Sequence, residues 1–203
     1  ADIQAAVDGF AQSAANAKAA GFDGIEIHGA NGYLLNQFLS TYFNRREDEY
    51  GGALENRLRL VVEVVRAVRE AVGENFTVGI RLSQGTVTDP DYQLPEGAAG
   101  FRQIVEAVRD AGADFVHTTD GEVNRKHFVE GDESLASVAA SVEGINLILN
   151  GSIDETNCQD VANQFPHTLL AVGKKALANP DFVQRLKDGK EIADIDFAML
   201  QPK

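Results

Sequence analysis

Five short apolar runs recur along this chain, each followed by residues at helical apolar spacing, and that alternation leaves few possible folds. The runs are Asp23 to His28, Phe76 to Leu82, Asp114 to Thr119, Gly144 to Leu149 and Thr168 to Val172. An opening helix over Asp2 to Ala20 precedes the first, with Ile3, Val7, Phe10, Ala14 and Ala17 at helical spacing and Gly21 as its stop. Helical patterns follow each run: through Leu34, Leu35, Phe38 and Leu39 and then Leu58 to Val72; from Pro95 to Gly112; a short alanine-rich stretch after the polar loop Glu122 to Glu133; Asp154 to Gln164, with Asp154 as its N-cap; and from Asn179-Pro180-Asp181 to Gly189. The tail is mostly unpatterned. Strands alternating with helices at this spacing make a parallel sheet with helical crossovers. Two architectures satisfy the pattern: an open five-stranded doubly wound sheet, or part of an eight-stranded barrel, which typically needs about 250 residues.

At 203 residues the chain supports one sizeable core and reads as a single domain over 1–203. Its 31 acidic residues against 18 basic ones give a formal net charge of −13, which disfavours nucleic acid or an anionic membrane as partner. The single cysteine, Cys158, excludes an intrachain disulfide and a cysteine-rich metal site, and fits a reducing compartment such as the cytoplasm. No apolar run approaches the roughly 20 residues that span a bilayer. The opening residues read as an amphipathic helix rather than a signal peptide. Neither a Gly-x-Gly-x-x-Gly turn nor a P-loop is present.

The residues able to carry chemistry gather where runs end, and the exits of parallel strands are where ligands bind. The first run is expected to break at Gly29 and Gly32, with His28, Asn31 and Tyr33 at the break. In one reading these are a satisfied histidine, a turn former and a core aromatic. In the other, His28 and Asn31 donate hydrogen bonds to one substrate oxygen and Tyr33 supplies a proton. Arg81 closes an apolar strand, where a guanidinium needs a partner: a carboxylate, or an electron-rich ligand. Gly151-Ser152 and Gly173-Lys174 end the last two runs, and small residues there let backbone N–H groups approach an anion while lysine adds charge. The charged loop Asn44 to Arg57 reads as a self-tied segment in which Arg46, Asp48, Glu55 and Arg57 hold one another. His117 reads as a satisfied strand-end histidine, and His127 and His167 lack metal-ligand spacing.

Set together, these residues resemble the old yellow enzyme family, the FMN-dependent NAD(P)H oxidoreductases. The resemblance runs from about Phe10 to Gly189 and is densest from Gly21 to Ser40, through the Asn44 to Arg57 loop, at Gly79-Ile80-Arg81-Leu82-Ser83, and from Val172 to Asp181. It implies a TIM (β/α)8 barrel with FMN at the strands' C-terminal mouth, represented here by strands four to eight as the C-terminal portion. It implies reduction of activated alkenes, α,β-unsaturated carbonyl or nitro compounds, at the expense of NAD(P)H. His28 and Asn31 look like the pair on the substrate oxygen, Tyr33 like the proton donor, and Arg81 like the arginine beside the flavin. Gly151, Ser152, Gly173 and Lys174 look like the phosphate cradle, with lysine where the family usually has arginine. Five strands leave open sheet edges, so self-association is expected as well. The rival expectation is a non-catalytic partial barrel or assembly module without flavin. A weaker alternative is a barrel acting on a small sugar phosphate.

Overall fold

A computed structural model describes residues 2–200; Ala1 and the last three residues of the unpatterned tail lie outside them. In chain order the elements are α1 (Asp2–Ala19), β1 (Gly24–Asn31), α2 (Leu34–Leu39), α3 (Leu54–Val72), β2 (Thr77–Thr86), α4 (Gly97–Asp110) and β3 (Phe115–Thr119). Then come α5 (Leu135–Ala140), β4 (Asn146–Asn150), α6 (Cys158–Gln164), β5 (Leu169–Leu170), α7 (Lys174–Ala178), α8 (Phe182–Asp188) and a 3-10 turn over Phe197–Leu200. The five strands form one sheet in sequential order, every pair parallel.

Strand periodicity gives this sheet two unlike faces. Ile27, Ile80, Val116 and Leu147 stand in register across four strands and are buried. They belong to a single hydrophobic cluster with the apolar side of α3, from Leu58 through Val61, Val64, Val65 and Val68 to Val72. The opposite face carries His28, Arg81 and His117, again in register on β1, β2 and β3. Stability therefore comes from one side of the sheet and ionisable groups line the other. Among the described residues no helix is long and apolar enough to cross a membrane.

Several boundaries differ from the sequence expectation. β1 does not break at Gly29: Gly29 still pairs with Leu82, the register slips between Gly29 and Asn31, and the turn comes at Asn31 and Gly32, with φ of 61° and 85°. β2 runs on to Thr86. β5 is reduced to Leu169–Leu170, with neighbouring Ala171 adding one more backbone bond to Leu149. α6 starts at Cys158 rather than at Asp154, because the Asp154 carboxylate accepts from both the N–H and the hydroxyl of Thr156 and holds a turn there. α7 was not anticipated, and α8 starts at Phe182 rather than Asn179 because the Asn179 amide donates to the carbonyls of Lys175 and Ala193.

The charged loop is only partly self-tied. Arg46 pairs with Asp48, but Glu55 accepts from Gln103 and Arg57 turns inward. Arg57, in the first turn of α3, is fully buried and donates to the carbonyls of Leu39 and Gly52 and to Glu96 before α4. It thus joins the end of α2, the loop and the start of α4.

Candidate active site

The turn after β1 is held by a residue that the sequence reading passed over. Asn36, 3% exposed on α2, accepts from the Gly32 N–H at 2.8 Å and donates to the Ser83 carbonyl at 2.9 Å. Ser83 in turn accepts from the Asn31 N–H at 2.8 Å, and the Asn31 carbonyl accepts from Val87 N–H at 3.2 Å. A buried amide between Leu35 and Phe38 was the available signal, since such a group requires partners. The clasp fixes Asn31 in the left-handed region, where asparagine is one of the few residues tolerated.

That turn brings His28 and Tyr33 together, with ring centroids 5.0 Å apart and planes tilted by 47°. Tyr33 precedes α2 and is 59% exposed. Partial burial, then the Arg81 charge, hold the His28 imidazole below its usual pKa, with Glu26 opposing them. The imidazole is therefore neutral at pH 7, with one N–H to donate. Among the described residues, no hydrogen bond engages the side-chain polar atoms of His28, Asn31 or Tyr33.

Among the described residues Arg81 has no carboxylate partner, contrary to one reading of the sequence. Its Nη2 donates to Thr119 Oγ1 at 2.9 Å and to Asn150 Oδ1 at 3.3 Å, and its buried Nε has no partner. Thr119 also donates to Asn150 Oδ1, and Asn150 Nδ2 donates to the Ala171 carbonyl. A polar chain thus crosses from β2 to the end of β5 and leaves one positive charge held by neutral oxygens.

Asn150 also lines a cavity of about 610 Å³ that collects the ends of β4 and β5: Ser152, Gly173 and Lys174, with Lys175, Asp194 and Phe197. Gly151 stands behind this lining rather than in it. A Cβ there would sit 2.4 Å from the Val123 nitrogen and 2.7 Å from the Glu122 carbonyl carbon, so only glycine lets the two turns touch. Ser152 donates to the Gly121 carbonyl at 2.6 Å. Lys175 is engaged by Glu155 at 2.8 Å and Asp194 at 2.9 Å, and those contacts raise its pKa. Lys174 has no ion pair among the described residues and is exposed toward solvent.

These residues fit a flavin mononucleotide. A guanidinium with an unpartnered buried nitrogen suits an electron-rich ring, and Asn150, which it contacts, lines a cavity with a lysine and two small-residue turns suited to a phosphate. Asp120, Asp154 and Asp194 at the rim oppose an anion. Each is engaged: Asp120 by His127 at 2.5 Å, Asp154 by Thr156 and Asp194 by Lys175. His117 is satisfied on one nitrogen only, Nδ1 to Glu26 Oε2 at 2.7 Å, and its buried Nε2 is unpartnered.

Comparison with known proteins places the chain as a whole in a family. Residues 1–192 match the model of the NADH:flavin oxidoreductase / NADH oxidase family. An NADH oxidase of Thermoanaerobacter brockii is 33% identical over 94% of this chain and 30% of its own length. 12-Oxophytodienoate reductase 1 of Oryza sativa subsp. japonica is 36% identical over 92% of this chain and 49% of its own. The solved structure of morphinone reductase in complex with tetrahydroNAD superposes with a TM-score of 0.84 at 30% identity, covering 100% of this chain and 53% of that one. An old yellow enzyme homologue from Zymomonas mobilis gives a TM-score of 0.86 at 26% identity. The chain thus spans about half the length of most of these relatives, and less of the NADH oxidase. Matched along nearly its whole length by the family model, it belongs to the NADH:flavin oxidoreductase / NADH oxidase family, the FMN-dependent old yellow enzyme group.

Proposed function

We propose that this chain is part of an FMN-dependent reductase of activated alkenes, its five strands being the fourth to eighth of a TIM (β/α)8 barrel. The glycine turns after the last two strands support the numbering, since barrels commonly bind phosphate after strands seven and eight. One observation carries the functional reading: Arg81, in register with His28 on the neighbouring strand, is hydrogen-bonded to Asn150, which lines the Lys174 cavity.

In this reading Ser152, Gly173 and Lys174 hold the FMN phosphate, and Arg81 offsets negative charge on the ring's pyrimidine edge. Gly151 acts indirectly, by letting the cradle close. The bound flavin supplies hydride chemistry, replenished by NAD(P)H. Neutral His28 donates one hydrogen bond and the Asn31 amide another to the carbonyl or nitro oxygen of the alkene, so charge developing there meets two fixed donors. Tyr33, exposed and beside His28, delivers a proton from its phenol to the α-carbon.

FMN titration of the purified chain, read by quenching of flavin fluorescence and by the visible spectrum, tests cofactor binding. Saturable binding is expected, and a chain that stays colourless in excess FMN refutes this reading for the chain as it stands. Where flavin binds, Tyr33→Phe should slow alkene reduction by about 10²- to 10⁴-fold while leaving flavin reduction by NAD(P)H intact. Equal loss of both half-reactions would remove Tyr33 from its role.

A second reading, a non-catalytic partial barrel that associates with itself, is favoured by the sheet's edges: among the described residues β1 pairs only with β2, and β5 only with β4. Solution mass by light scattering separates the two, because a monomer that binds FMN contradicts the second.

A further inference from the structure

The polar face of the sheet holds a half-buried contact that the proposed chemistry does not use. Glu26 on β1 reaches across the middle strand to His117 on β3, Oε2 to Nδ1 at 2.7 Å, between residues 91 apart in sequence. Gly79, paired with Glu26, has no side chain. A Cβ there would lie 2.0 Å from the ring of Phe115, which fills the space on the same layer. The strut passes beside Arg81, which is in register with both His28 and His117 and points to the same face as they do.

Two buried nitrogens on this layer have no partner: Nε of Arg81 and Nε2 of His117. They are complementary. A carboxylate only accepts, so the Glu26 contact requires a proton on His117 Nδ1, and in the neutral imidazole Nε2 is then a lone pair. A proton on Nε2 would instead add a second orphan donor beside the Arg81 Nε–H, at the cost of desolvating both. Arg81 is already tied on its far side, to Thr119 and Asn150. What it lacks is an acceptor on the near side.

We propose that Glu26 and His117 form a positioning pair for Arg81: the carboxylate locks the histidine tautomer, and the buried Nε2 lone pair supplies the acceptor, through a bridging water, that fixes the guanidinium edge. The pair does not touch the substrate, and its effect passes through Arg81. The proposal rests on the flavin reading above for its consequence, though not for its geometry. An arginine fixed in this way favours the reduced, more negative flavin over the oxidised one, whereas a loosened arginine discriminates less.

The test has two arms. Nitrogen-15 NMR of the full chain without flavin should show His117 protonated on Nδ1 alone and the Arg81 Nε–H protected from exchange, with that protection lost in Glu26→Gln. A doubly protonated His117, or protection unchanged in the variant, overturns the pair. With flavin, Glu26→Gln should reduce the preference for reduced over oxidised FMN about tenfold, equivalent to about 30 mV for a two-electron couple. A merely structural role would weaken both affinities together, and that result, or no change, overturns the proposal. His117→Phe, which keeps the ring volume, repeats the measurement, and Glu26→Asp should restore part of the preference. If the parent chain binds no FMN, the function proposed above fails, while the flavin-free arm still decides the pair.

Discussion

Replacing Gly151 with alanine probes the cradle where its backbone is least able to yield. The added Cβ would stand 2.4 Å from the Val123 nitrogen, 2.7 Å from the Glu122 carbonyl carbon and 2.9 Å from the Val123 Cα. Ordinary contacts lie at about 3.5–4.0 Å, so one turn must retreat by roughly 1 Å. No flexible side chain can absorb this, because all three atoms are backbone. Overpacking of this kind costs about 1–3 kcal/mol. The retreat also strains the 3.0 Å bond from Val123 N–H to the Gly151 carbonyl, for about 1 kcal/mol more. A total of about 2–4 kcal/mol should lower the melting temperature of a chain this size by at least ~4 °C. Circular dichroism melts read that fall, and FMN titration should show weaker binding as Ser152 and Asn150 are displaced. Gly121→Ala and Gly173→Ala are the controls, since a Cβ at either meets nothing within 4 Å and neither should lower the melt. A Gly151→Ala melt within ~1 °C of the parent would refute the close-approach argument.

Three further outcomes follow from the same geometry. Arg57→Met leaves the Leu39 and Gly52 carbonyls without their donor and Glu96 without its partner, so denaturant unfolding should report a loss of about 3–5 kcal/mol; a loss below ~1 kcal/mol would remove Arg57 from its fastening role. His28 has a folded pKa below its ordinary value, so the unfolded chain binds more protons in the interval between them, and the associated stability is complete above about pH 6.5 and is lost as pH falls through the folded value. NMR titration should find His28 below 6.5, rising when Arg81→Met removes the neighbouring charge; a His28 that titrates at or above 6.5 in the parent chain contradicts this. Lys174→Arg should tighten FMN binding several-fold, because a planar fork grips phosphate with two bonds, and equal or weaker binding would place the phosphate elsewhere.

The parallel βα order was legible in the sequence because apolar runs and glycine stops are local signals. So was the nearness of His28 and Tyr33, whose rings lie 5.0 Å apart. What escaped depends on register or on distant partners. Asp154 satisfies every local rule for a helix start, yet its carboxylate is taken by Thr156 and the helix begins later. Arg57 looked like part of a charged loop, but its partner Glu96 lies 39 residues away and is reached only once α3 and α4 pack. The Glu26–His117 contact spans three strands and becomes visible only when β2 is known to lie between β1 and β3. Lys174 and Lys175 are adjacent and chemically identical, and only the fold shows that the second is already paired while the first is free among the described residues.

The two-faced sheet has a consequence for how such a protein changes. Ile27, Ile80, Val116 and Leu147 bear the helical layer, whereas His28 and Arg81, one residue along the same strands, add little to that packing. Mutational libraries confined to the odd-man positions of each strand could therefore diversify reactivity without eroding foldability. Tolerance to innovation is built into the alternation of side chains itself.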